Sequence, residues 1–170
     1  MNGALNAWRQ GVVEQLRENG LNAVAAMESS RAGRWREAVT AVSLSRVVCA
    51  PGGFKDYLGV LTDPESGVER ELYGREVQLT LALDVFAPRD GGESACQRLS
   101  ESVTECLVCR GAAGLSALEV QTGRVEFLEK DGMYRQEVSC RCKAWLVARM
   151  DGGGGAFVDF EVKGRMKCAR

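Results

Sequence analysis

The sequence predicts an α+β fold: a twisted, mostly antiparallel sheet with two principal helices packed on it, and a hairpin or ordered loop projecting at about 54–73. Three observations predict it. Val77, Leu79, Leu81, Leu83 and Val85 are apolar at every second position, and Glu76, Gln78, Thr80 and Asp84 stand between them, which is the pattern of a strand with one wet face. Cys96, Leu99, Val103, Cys106, Leu107 and Arg110 then fall three or four apart, a mainly apolar stripe along a helix whose other side carries Arg98, Glu101, Thr104 and Glu105. Finally Val138, Cys140, Cys142, Ala144, Leu146 and Ala148 share one face of a second long strand over 134–150. A half-wet strand and an amphipathic helix each need the other's apolar face.

From the start of the chain, Leu5, Trp8, Val12 and Leu16 define a helix of about four turns, which Asn19-Gly20 stops by offering a left-handed residue. Residues 23–27 fit a short strand or the tail of that helix equally well, and 29–36 is polar and reads as a loop. Residues 38–50 are rich in Val, Ser and Thr and predict a strand covered on much of both faces. Simple alternation puts Val39, Ala41, Ser43, Ser45 and Val47 on one side and Val42, Leu44, Arg46 and Val48 on the other.

Pro51-Gly52-Gly53 breaks that strand, 54–62 resumes with aromatic and aliphatic residues, and Asp63-Pro64-Glu65-Ser66-Gly67 is a tight turn by composition. Residues 68–73 lead back into the central strand. That strand should stop after Phe86, where Pro88 withholds a donor and Gly91-Gly92 permit positive φ. Ser94 and Gln97 have capping-box spacing, so the second helix is expected to begin at Ser94 and to end at Gly111. Two short strands are expected at 115–122 and 124–129 about Gly123, then a turn at Asp131-Gly132 and the long strand. Gly152 to Gly155 form a hairpin loop, and Val158, Phe160 and Val162 alternate in a last strand.

At 170 residues the chain suits one domain with a real core. Twenty-two basic and twenty-three acidic side chains give a net charge of -1, with no run of Lys and Arg that could track phosphates, so nucleic acid is not an expected partner. With 45% hydrophobic residues the chain is not generally disordered. Neither a signal-type N-terminus nor a bilayer-length apolar run is present in this sequence, and seven scattered cysteines do not resemble a secreted disulfide framework. The expectation is a soluble protein that stays in a reducing cytoplasm, with no membrane partner.

No histidine occurs, which removes the Ser-His and Cys-His nucleophile systems and the commonest transition-metal ligand. Glu69, Glu71 and Glu76 read as solvated strand positions, no acid-base pair is recognisable, and the chain is expected not to be an enzyme and to need no cofactor. Cys106, Cys109, Cys140 and Cys142 could supply four thiolates to zinc or a redox dithiol, an alternative in which the protein is a small zinc- or thiol-containing binding protein. Three of them lie on apolar faces, where cysteine behaves as a small hydrophobe, so no metal is assigned. The segment with the sharpest functional signal is the projecting one. Phe54, Lys55, Asp56, Tyr57 and Leu58, with Glu71, Tyr73 and Arg75, set three aromatics beside charges, as interface anchors are set. The competing reading folds those rings back into the core.

These residues, together with Leu81-Ala82-Leu83-Asp84-Val85-Phe86-Ala87-Pro88, resemble tail terminator or tail completion proteins of long-tailed bacteriophages, as encoded in prophages of Gram-positive bacteria. The resemblance covers about 39–88 by motif and most of the chain by element order. It implies an α+β subunit that assembles as a homo-oligomeric ring, six-fold in that family, caps the tail tube and offers a surface for joining the head. The implied partners are copies of itself, the tail tube protein and a neck or head-completion protein. The implied location is the virion tail or neck, reached from the host cytoplasm. A neck connector or a tail tube subunit would carry nearly the same signals. A closing ring also needs two different patches on each subunit, and the 54–73 segment is the candidate for one.

Overall fold

The computed structural model describes residues 3–25, 35–51, 56–150 and 157–164. The elements run α1 (Ala4–Glu18), β1 (Ala23–Ala25), β2 (Val39–Pro51), β3 (Tyr57–Thr62), β4 (Glu69–Pro88), a 3-10 turn (Arg89–Gly91), α2 (Gly92–Arg110), β5 (Ala117–Leu128), β6 (Met133–Met150) and β7 (Phe157–Lys163). Among the described residues the sheet order is β1-β2-β4-β6-β5, with β3 added to β4 and β7 to β6. Only β1 and β2 run parallel, and every other pairing is antiparallel. The α+β architecture is the one the sequence predicts.

Two strands of 20 and 18 residues, β4 and β6, form the spine, paired without a register break from Gly74–Val147 to Pro88–Met133. One face of the spine is apolar: Val77, Leu79, Leu81, Leu83 and Val85 lie beside Ala144, Cys142, Cys140 and Val138, all fully or almost fully buried. Onto it pack Val12, Val13 and Leu16 of α1 and Cys96, Val103 and Leu107 of α2. Each buried Leu or Val contributes about 1.5–3 kcal/mol, so this layer dominates the stability. The opposite face is polar and laced by cross-strand ion pairs, Glu76–Lys143 at 2.8 Å, Asp84–Arg135 at 2.6 Å and Glu119–Arg141 at 2.7 Å.

The tip of α2 meets α1 through a polar clasp. Gln15 Nε2 donates to the Gly111 carbonyl at 2.9 Å, Gln15 Oε1 accepts from the Ala113 amide at 2.6 Å, and Trp8 Nε1 donates to the Ala112 carbonyl at 2.9 Å. Gly11 lets the 111–115 loop come close, since a Cβ there would sit 3.2 Å from that of Ala113. Gly111 ends α2 with φ 73°. Among the described residues no helix is long and apolar enough to cross a membrane.

Five local expectations need correction. The central strand does not stop after Phe86 but pairs with β6 through Ala87–Tyr134 and Pro88–Met133. The second helix starts at Gly92, two residues before Ser94, because the 3-10 turn feeds straight into it; no side chain caps it, and Gln97 reaches Glu93 instead. Residues 117–128 form one strand, not two, with a bulge between Thr122 and Val125 that absorbs Gly123. The second strand is covered on both faces only at Val39, Thr40, Ala41 and Val42, where β1 and α1 lie against it, and from Ser45 onward it is exposed. A bulge between Leu44 and Arg46 also defeats simple alternation. Ser45 is the extra residue, so Val47 shares the helix-bearing side with Leu44, while Arg46 and Val48 join Val39 and Ala41 on the other. The expected Gly152 to Gly155 loop and most of the 29–36 loop lie outside the described residues.

Candidate assembly interface

Beyond the helices the sheet continues as an arm. The outer half of β2 pairs with β4 as far as Pro51–Arg75, and β3 takes over from Tyr57–Tyr73 to Thr62–Glu69. Its end is the turn expected from composition. Asp63 Oδ1 accepts from the amides of Glu65 and Ser66 at 2.9 and 3.2 Å, and Gly67 takes φ 67° there. The 54–73 hairpin is therefore present over its described part.

The predicted residues converge at the arm's root. Tyr57 and Tyr73 stand opposite each other across the strand pair, ring centroids 5.7 Å apart and edge to face at 68°. The Tyr73 hydroxyl donates to Glu71 Oε2 at 2.6 Å, and that hydrogen bond, ahead of burial, raises the Tyr73 pKa above 10.0. Asp56, held at φ 59°, accepts two hydrogen bonds from Arg75 at 3.0 and 2.9 Å. Leu58 behaves differently: it is half-buried and packs toward Gly74, where a Cβ would overlap both its Cδ1 and the Leu146 carbonyl. Phe54 and Lys55 lie outside the described residues.

Tyr57 and Tyr73 keep 42% and 36% of their surface exposed and belong to no core cluster, so the folded-back alternative does not hold for these two rings. By strand alternation Tyr73 lies on the side that bears the helices further along β4, yet it stays 36% exposed there. Further along the same strands are residues that sequence reasoning passed over: Val47 and Val48 on β2, Leu61 on β3 and Val68 before β4 are also exposed. Val47 and Val48 were hidden by the expectation of a strand buried on both faces. The signal for Leu61 and Val68 was their place beside the Asp63 turn.

The four cysteines of the zinc alternative do not form a metal cage. Cys140 and Cys142 are buried between sheet and helices with sulfurs 3.7 Å apart, Cys106 is buried on α2, and Cys109 is on its exposed side. Among the described residues no group of three or more Cys, Asp or Glu side chains is placed to hold a metal ion. Cys140 is pushed above its ordinary pKa first by its hydrogen bond with Cys142 and then by burial. It is a core thiol at neutral pH. No family model matches the chain, and no curated protein matches it.

Proposed function

We propose that this chain is a structural subunit of a long-tailed bacteriophage tail, of the tail-terminator type, which closes into a ring on the end of the tail tube and offers a surface for joining the head. One observation carries the reading beside the resemblance. Of the nine large apolar side chains exposed among the described residues, four (Tyr57, Leu61, Val68 and Tyr73) are on the arm and two (Val47 and Val48) on the stretch of β2 that leads into it, so the apolar surface is concentrated where a neighbour can cover it. The tyrosine pair is held rigid by its own edge-to-face contact and by the Glu71 bond, which lowers the ordering cost of binding. A ring needs a second, different patch. Val108 on α2 with Leu118 and Phe127 on β5, at the opposite edge of the sheet, are the other exposed apolar residues among those described.

The work proposed is binding, and a neck connector or tube subunit would use the same surfaces. The test is the mass of the purified protein by light scattering over a concentration series, with electron microscopy of the protein mixed with tail tubes. We expect a closed ring, or a monomer that forms one on tube ends through avidity. The Tyr57→Ala/Tyr73→Ala variant should lose either behaviour while remaining folded, the ring–ring contact accounting for about 0.5–1.5 kcal/mol of its lost stability beyond the area the rings bury. A wild-type protein that stays monomeric and ignores tubes would end the reading; a double variant that unfolds would move the interface elsewhere.

A further inference from the structure

A groove of about 550 Å³ runs between α2 and the β5-β6 side of the sheet, away from the arm. From α2, Ser100 and Thr104 line it, one turn apart and so on the same side of the helix. From β6, Gln136 lies across the groove from them. Three oxygens here, Ser100 Oγ, Thr104 Oγ1 and Gln136 Oε1, have no hydrogen-bond partner, although Ser100 is 99% buried, with a relative exposure of 1%. The Gln136 amide is oriented: its Nε2 donates to the Gly123 carbonyl at 2.8 Å, at the β5 bulge, which leaves Oε1 as a buried acceptor with no partner among the described residues. Glu101 and Glu105 stand on the same groove, and among the described residues no Lys or Arg lines it.

Leaving buried polar atoms unsatisfied is costly, so three in one groove call for a donor. The lining sets what kind. Hydroxyls could serve either sign, but an open amide oxygen accepts only, and two carboxylates repel any anion. A primary ammonium has three N–H donors, no acceptor and one positive charge. We propose that the groove between α2 and β5-β6 is a binding site for a primary ammonium group, seated on Ser100, Thr104 and Gln136 with Glu101 and Glu105 at its rim. The group could belong to a free alkylamine or to a lysine side chain of another protein; the chemistry is shared. This inference does not rest on the assembly reading.

The experiment titrates the intact chain at fixed ionic strength and follows backbone amide resonances, using n-butylammonium, tetramethylammonium and an N-acetylated, C-amidated Gly-Lys-Gly peptide. n-Butylammonium should shift the amides of 100, 104 and 136 saturably, while tetramethylammonium, with the same charge and no N–H, should not. Ser100→Ala should weaken binding about tenfold, the loss of one hydrogen bond to a charged group. Since that residue is buried, Glu101→Gln on the exposed side of α2 gives a second reading, a weaker affinity with unchanged circular dichroism. Binding of the peptide as well would assign the site to lysine side chains; binding of n-butylammonium alone would assign it to free amines. Equal shifts with tetramethylammonium, or no shifts with any probe, would overturn the proposal.

Discussion

The two ends of β4 follow opposite rules. From Val77 to Val85 its apolar side chains are fully buried under two helices, whereas at Tyr73 the same strand presents a ring that is 36% exposed. Pairing does not explain the contrast, since the strand has neighbours at both ends. The difference is the second layer. A sheet face becomes core only where a second layer covers it, and the cluster that α1 and α2 share with β4 takes in Val77 to Ala87 but not Tyr73. The lesson is that an apolar strand residue is read correctly only when its cover is known.

The contrast can be broken from either side. The largest effect should come from the covered end: Leu81→Ala should cost about 2–5 kcal/mol in denaturant unfolding, because a fully buried Leu leaves a cavity that the spine cannot close. A loss under 1 kcal/mol would mean the helices are loosely seated. A second expectation concerns alkaline pH. Burial, with a further push from Glu93, raises the Cys96 thiol from 9.0 to about 11. Its contribution is complete below pH 9.0 and is lost as pH rises through about 11, so unfolding curves should weaken across that window and Cys96→Ala should flatten the decline. On the arm, Tyr73 keeps its bond to Glu71 until pH passes its own raised value above 10.0. The smallest effect should be Arg75→Met. Its bridge to Asp56 is half in water, with side-chain exposures of 54% and 32%, and stability should change by about 0–1 kcal/mol. A larger loss by thermal unfolding would show the arm to be part of the cooperative core.

Much of this was legible from residue patterns. Val77 to Val85 and the α2 stripe announced one apolar face each, and covering them was the only stable outcome. Tyr57 and Tyr73 were legible as a pair of candidates because turn residues at Asp63 to Gly67 fold their strands together. What escaped had no local signature. Nothing in Leu44-Ser45-Arg46 marks a bulge, since no Gly is there, so the facing of Val47 and Arg46 was reversed. Ser94 had a sound cap pattern, but the 3-10 turn had already begun winding the chain. The groove proposed for an ammonium is lined by residues of helix and sheet that no sequence spacing brings together.

Ser45 has a consequence for geometry at larger scale. It is the surplus residue of its bulge, so deleting it would pair Leu44–Leu81 and Arg46–Thr80 in unbroken sequence and leave every later side chain facing as it does now. What would change is direction, because a bulge bends its strand and sharpens the local twist. Heading and contact chemistry of the arm are thus separate variables. If neighbours meet through that arm, the angle per subunit, and with it the number that closes a circle, is set by a residue inside the sheet. Rings of the Ser45-deleted protein, imaged beside those of the parent, should differ in subunit number or fail to close.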